Sequence, residues 1–510
     1  MNLRLFLLAL VALALPSILA AEDAAPSGAQ HKAADAPDPP PPPPNISVTH
    51  HEGRFNGVAL AYRATAGETY LKNEQGKPTA AIFSVAYVRE GAVPGTRPVT
   101  FLFNGGPGSG SLWLHMGAFG PKRVVIPSDA RDDGAPPYPL VDNAYSLLDV
   151  TDIVFIDPVG TGFSHALAGT EPADFWSVTK DAKSIAQFIR LWLGENGRWN
   201  SPKYLGGESY GTTRSAAVLH ELEGQYNDVA LNGVILISAI LDFGAQAEVP
   251  GNEMQYVLNL PSMAAAAWYH DKVTDRPATV EAFAEQARQF ALGDYASALL
   301  LGTRLPAERR AEIRSRLAHF TGLSEAYLDH ADLRVSPGRF FKELLRDRGL
   351  TTGRLDTRYT GVDRDSAGET PDDDPSFYAI DGAYTAALNA YVRGDLGFRP
   401  DREYVTIGGV GKWDFRLDGD DSETYMNVAP YIGTALRENS GLRIFDAQGY
   451  FDFATPFLGA EYALSRPGIP QDRIHFEYYH AGHMMYVREE DLAKLSGDIH
   501  RFISQSGTGR

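Results

Sequence analysis

The chain has 510 residues, 44% of them hydrophobic and 11% aromatic, which is the composition of a globular protein able to bury a sizeable core. Forty-six basic residues stand against 64 acidic ones, a net charge of −18, so the surface repels phosphate backbones and nucleic acid is not an expected partner. Cysteine is absent, which excludes disulfides, a thiol nucleophile, zinc ribbons, iron–sulfur ligation and lipidation at a cysteine.

The N-terminus reads as a cleavable export signal over residues 1–20. Arg4 precedes the apolar run Leu5 to Leu15, and Pro16 cuts that run short of the roughly 20 residues a membrane span needs. Residues 21–45, rich in Ala, Asp and Pro and ending in the tract Pro39 to Pro44, are expected to form a disordered, extended tether. Asn45-Ile46-Ser47 fits a glycosylation acceptor. The expected location is periplasmic or secreted, without stable membrane insertion once the signal is removed.

From about Gly53, short runs rich in Val, Ile, Phe and Tyr alternate with helical stretches. The runs are Val58 to Arg63, Ala80 to Val88, Val99 to Phe103, Ile153 to Ile156 and Val234 to Ser238, and the helices include Asp181 to Leu193 and Thr213 to Leu222. Runs apolar on both parities predict strands covered on both faces, hence an α/β fold with a mostly parallel central sheet flanked by helices. Between roughly Pro250 and Asp374 the strand signals disappear and Ala-, Arg-, Glu- and Leu-rich segments predict a helical cap insertion over 250–374. Strand-like runs return at Leu442 to Phe445 and Ile474 to Tyr478. Residues 46–249 and 375–510 thus form the two parts of one core.

Gly207-Glu208-Ser209-Tyr210-Gly211 follows the strand-like Lys203 to Gly206 and opens a helix, the pattern of a nucleophile elbow. So sharp a turn tolerates only glycine at its flanks and pushes Ser209 out, while the N–H of Tyr210 at the helix start favours a developing oxyanion. Upstream, Val99 to Phe103 runs into Asn104-Gly105-Gly106-Pro107-Gly108-Ser109-Gly110. No lysine follows these glycines at the spacing of a phosphate loop, and no dinucleotide fingerprint opens a helix there. A loop at this place in an α/β-hydrolase supplies the second oxyanion N–H.

Together these motifs resemble the serine carboxypeptidase family, within the α/β-hydrolase fold. Asp157-Pro158-Val159-Gly160-Thr161-Gly162-Phe163-Ser164, Gly449-Tyr450-Phe451-Asp452 and Ala481-Gly482-His483-Met484 look like further signatures of that family, in the same order. The resemblance implies a triad of Ser209, Asp452 and His483, an oxyanion hole from the N–H groups of Gly106 and Tyr210, and recognition of a C-terminal carboxylate by Asn104, Gly105 and Glu208. The chain order Ser, Asp, His is also the one an α/β-hydrolase requires. Asp446 is the alternative acid. His475 reads as part of a strand, and the pair His480 and His483 lacks a third ligand for a metal.

The chemistry requires no cofactor and no metal. Peptide or protein C-termini are the implied substrates, and two carboxyl groups can meet only if one carries a proton, which implies activity favoured at acidic pH. The chain departs from the family in having Leu102 where many members have Trp, and Ala118 where they have the Glu that partners Glu208. Without that partner another group must assist Glu208, or carboxylate selectivity weakens. A serine esterase or acyltransferase with the same triad, and a catalytically inactive binding protein, are the competing readings. Oligomeric state is not legible in the sequence.

Overall fold

The computed structural model describes residues 41–224, 228–417 and 426–506. The predicted export signal and most of the predicted tether lie outside the described residues. The last tether residues lie along the sheet, where the Tyr70 hydroxyl donates to the Pro42 carbonyl at 2.9 Å.

The main sheet contains β1 (Ile46–Phe55), β2 (Val58–Lys72), β3 (Pro78–Arg89), β4 (Val99–Phe103), β5 (Asp152–Ile156), β6 (Lys203–Glu208), β7 (Gly233–Ile237), β8 (Arg443–Gly449) and β9 (Ile474–Tyr479). Their spatial order is β1-β2-β3-β5-β4-β6-β7-β8-β9, with the short strand His165–Ala166 added to β3. The first three strands are joined antiparallel and β3 meets β5 antiparallel, whereas the six from β5 to β9 run parallel.

Alternation along the parallel strands builds two cores. In β4, Phe101 and Phe103 enter one apolar cluster while Leu102 enters the other, and in β7 Leu236 and Ile235 divide in the same way. One face is covered by α1 (Val178–Glu195) and α2 (Tyr210–Glu223). The opposite face is covered by helices defined below and by the buried turn Leu114–Phe119. The Ser177 side chain caps α1 by accepting from the N–H of Lys180, which satisfies a donor the helix start leaves free.

Between β7 and β8 the chain is mostly helical. Its longer helices are α3 (Met254–Tyr269), α4 (Val280–Phe290) and α5 (Ala307–Thr321), followed by α6 (Asp381–Gly394) and α7 (Ala429–Glu438). The first three enclose a third apolar cluster that also takes in Tyr450, Phe451 and Phe453 from the loop after β8. The C-terminal α8 (Glu489–Ser506) packs with α6 on the second sheet face.

Two sequence expectations need correction. The segment 250–374 is not free of strands, since Thr351–Thr352 and Thr360–Gly361 form a short antiparallel ladder. A strand, β1 at Ile46–Phe55, also precedes the first strand-like run read from the sequence, Val58 to Arg63. In β1 half-buried and exposed residues alternate, so an apolar run marks nothing, and the strand is held by its ladder to β2.

Candidate active site

The strand order reverses around β4, which lies between β5 and β6, and such a switch point opens a crevice at the carboxyl ends of the strands. Because Phe103 pairs with Gly207, β4 and β6 end together, and Asn104 emerges beside the Glu208-Ser209 turn. Asp452 follows the end of β8, and His483 follows the end of β9, so both project from the same edge of the sheet.

Ser209 sits at φ +60° and ψ −130°, a conformation that costs a non-glycine residue about 1–3 kcal/mol and is held by its surroundings. Its N–H donates to the Ile237 carbonyl at 3.0 Å, and its carbonyl accepts from the N–H and hydroxyl of Thr212. A Cβ at Gly207 would stand 2.1 Å from the Gly211 carbonyl oxygen, and one at Gly105 would stand 2.6 Å from the Tyr210 nitrogen. The glycines are therefore what lets the loop after β4 press onto the elbow. Ser209 is half-buried amid buried neighbours, and among the described residues no hydrogen bond joins its hydroxyl to His483. The N–H groups of Gly106 and Tyr210 have no protein acceptor among the described residues.

His483 and Asp452 are in direct contact, with Nδ1 to Oδ2 at 2.8 Å and both side chains buried. The carboxylate also accepts from the N–H groups of Ala454 and Thr455 and from the Thr455 hydroxyl. Burial lowers the imidazole's affinity for a proton, but the Asp452 carboxylate outweighs this and holds His483 above its ordinary value. Asp446, the alternative acid, lies within β8 bonded to Gln448, and burial pushes its carboxyl up to about 8. His480 pairs with Glu281 on α4, and His475 with Glu477.

The histidine loop is tied to its surroundings through the backbone. Its carbonyl accepts from the Ser238 hydroxyl at 2.6 Å, one residue beyond the Ile237 carbonyl that holds Ser209. The N–H of His483 donates to the Leu355 carbonyl and that of Gly482 to Asp356 Oδ2. The same stretch binds the acid loop, as Thr357 N–H donates to Phe451 and Phe453 N–H to Arg354.

Asn104 and Glu208 are also brought together. Asn104 Nδ2 donates to Glu208 Oε1 at 2.9 Å while its Oδ1 accepts from the N–H of Leu114. The other oxygen of Glu208 accepts from the hydroxyl of Tyr486 at 2.6 Å. Burial pushes the Glu208 carboxyl up to about 7, against the opposing effects of His483, Tyr486 and Asn104. Leu102 and Ala118, the two departures, are buried in the apolar core.

Sequence reasoning missed Tyr486, Thr455 and the stretch from Arg354 to Thr357. A tyrosine three residues after the histidine, in the buried turn Met485–Val487, is the one local signal, because a buried hydroxyl needs a partner. A cleft of about 1100 Å³ borders the site, lined by Phe243, Phe341, Arg354, Trp413, Phe415 and Phe453. Ala454 and Pro456, close after Asp452 in the chain, also line it. No group of three or more His, Asp or Glu residues among the described ones could hold a metal ion, and no described helix is long and apolar enough to cross a membrane.

The parallel sheet, its switch point and the strand-to-helix serine turn give the chain the α/β-hydrolase fold. Residues 68–286 match the model of the family described as serine carboxypeptidase. The match contains Ser209 and the glycine loop, while Asp452 and His483 lie beyond it.

Among curated proteins, the chain is 30% identical over 164 residues to serine carboxypeptidase-like 16 of Arabidopsis thaliana, covering 31% of this chain and 36% of that one. It is 32% identical over 128 residues to the pheromone-processing carboxypeptidase of Cryptococcus gattii, covering 25% and 18%. The matched stretch thus spans about a third or less of these relatives' length. Among solved structures it resembles the juvenile hormone epoxide hydrolase of the silkworm Bombyx mori, at 12% identity and a TM-score of 0.33 over 87% of this chain and 79% of that one. An esterase of Pyrococcus furiosus gives 8% identity and a TM-score of 0.34 over 86% and 90%.

Proposed function

We propose that this chain is an exported serine carboxypeptidase that hydrolyses C-terminal peptide bonds through an acyl-enzyme on Ser209. The observation that carries the reading is the convergence of two polar pairs, Asp452 with His483 and Asn104 with Glu208, beside the serine turn at one edge of the sheet. His483 takes the proton from Ser209 as the hydroxyl attacks the scissile carbonyl. Asp452 holds the imidazole in the tautomer with its Nδ1 proton and stabilises the cation that forms.

The tetrahedral oxyanion is received by the N–H groups of Gly106 and Tyr210, which the start of α2 reinforces. His483 then returns the proton to the leaving amine, and water releases the acyl group by the same route. Protonated Glu208, with Asn104 and the N–H of Gly105, binds the free carboxylate of the substrate, which makes peptidase activity a property of the acid side of neutral. The reading extends to residues 1–20 as an export signal, 21–45 as a tether and 250–374 as a cap over the cleft.

A second reading, a serine esterase or acyltransferase, is favoured by one observation. Glu208 is 4% exposed and each of its oxygens already has a donor within the protein. The test is to incubate a peptide with the enzyme and follow its mass. Loss of single residues from the C-terminus supports the carboxypeptidase. Hydrolysis of a p-nitrophenyl ester with an intact peptide supports the esterase, and failure of a fluorophosphonate to label Ser209 overturns both.

A further inference from the structure

Family resemblance leaves Glu208 without the carboxyl partner that Ala118 fails to supply, yet the structure does not leave it alone. The ring of Tyr486 lies against Gly117, the neighbour of Ala118, where a Cβ would stand 2.7 Å from the ring. Its hydroxyl, 2.6 Å from Glu208 Oε2, donates to the oxygen that Asn104 does not bind. Tyr486 and Glu208 are both buried, at 3% and 4% exposure, so bulk water does not substitute for either partner.

We propose that Tyr486 is a positioning residue for recognition of the substrate's C-terminal carboxylate, its hydroxyl fixing the Glu208 carboxyl beside Asn104 and setting how acid the solution must be to load it with a proton. The inference rests on the carboxypeptidase reading of the site.

A tyrosine differs from a carboxyl partner in one decisive way. Burial and the Glu208 charge raise the Tyr486 hydroxyl well above its ordinary value, so it remains a neutral donor throughout the working range. Two carboxyls that share a proton titrate as a pair in two steps, whereas a carboxyl beside a tyrosine has no second carboxyl with which to divide its proton. Donation from Tyr486 favours the charged form of Glu208, as does the donation from Asn104. The other groups facing Glu208 are the His483 imidazole, which also favours its charge, and the Asp452 carboxylate, which opposes it. The Tyr384 hydroxyl, close to the same face of Gly117, is held neutral by burial.

The test compares wild type with Tyr486→Phe, which keeps the ring and removes only the donor. Activity is measured across pH on a blocked dipeptide and on its C-terminal amide. In parallel, the protonated carboxyl of Glu208 is followed by infrared spectroscopy as the band that Glu208→Gln abolishes. Removing a hydrogen bond to the anion raises the pH at which Glu208 ionises, so the band midpoint and the alkaline limb on the dipeptide both move up by about one pH unit. The profile on the amide stays where it was.

A band midpoint unchanged in Tyr486→Phe overturns the inference whatever the substrates show, as does an equal shift on both substrates. Wild-type enzyme that treats acid and amide alike overturns the carboxypeptidase reading, and this role of Tyr486 with it, before the variant is compared.

Discussion

The Arg214 guanidinium, within α2, donates from Nη1 to the carbonyl of Asn104 at 2.5 Å, joining the helix that follows Ser209 to the glycine loop after β4. Its Nε donates to Asp181 on α1 at 2.6 Å, and the Arg214 side chain is fully buried. The relative placement of Ser209 and Asn104 is therefore held from beneath by a buried charge pair.

Breaking that pair from one side leaves a buried charge uncompensated. Arg214→Met is expected to lower stability by about 3–5 kcal/mol in chemical denaturation. The double variant Asp181→Asn with Arg214→Met should recover part of the loss, since no naked carboxylate remains. Equal losses in both would show that Asp181 is not the group left stranded.

Asp452→Asn replaces an acceptor of the His483 Nδ1 proton by an amide that can stabilise the wrong tautomer. The expected result is a fall in kcat of about 1000- to 10,000-fold with the fold intact. Asp446→Asn, three residues before the end of β8, should leave kcat within a few-fold, because its carboxyl contacts Gln448 rather than the histidine.

The pH profile of the wild-type enzyme should depend on the substrate's terminus. His483 acts as a base only when neutral, and Asp452 raises its proton affinity, so rates on a C-terminal amide climb with pH and then level. On the proposed carboxypeptidase reading, binding of a free carboxylate also needs a proton on Glu208, whose carboxyl is pushed up to about 7. Rates on the free acid should therefore rise and then fall as pH passes about 7, giving a bell. Replacing Glu208 by Gln should remove the falling limb.

Glycine substitutions separate tight from open positions. Gly207→Ala places a Cβ 2.1 Å from a backbone oxygen and is expected to abolish labelling of Ser209 by a fluorophosphonate. Gly293→Ala meets nothing within 4 Å and should leave both labelling and the melting temperature nearly unchanged.

Much of this site was legible because its signals are local. The run 99–103 read as a strand from its β-rich composition, 203–206 from its place ahead of the glycine-flanked serine, and Gly207 and Gly211 announced a turn that only small residues survive. Asp452 and His483 came from the resemblance of Gly449 to Asp452 and of Ala481 to Met484 to family signatures, in an order consistent with an α/β-hydrolase. What stayed hidden depends on contacts across long separations. Tyr486 meets Glu208 from 278 positions away, and Asp356 meets Gly482 from 126, distances at which no periodicity or spacing carries a signal. The strand at Ile46 escaped for a different reason, since an exposed edge ladder is stabilised by backbone pairing and leaves little imprint on side-chain polarity.

The stretch from Arg354 to Thr357 serves as a common splint for the two loops that bear Asp452 and His483. Cutting into the helices before it would unpack Tyr450, Phe451 and Phe453 beside Asp452, and excision that reached Gly353 and beyond would let the acid and the imidazole drift independently. Part of what reads as an accessory insertion is, in working terms, chassis.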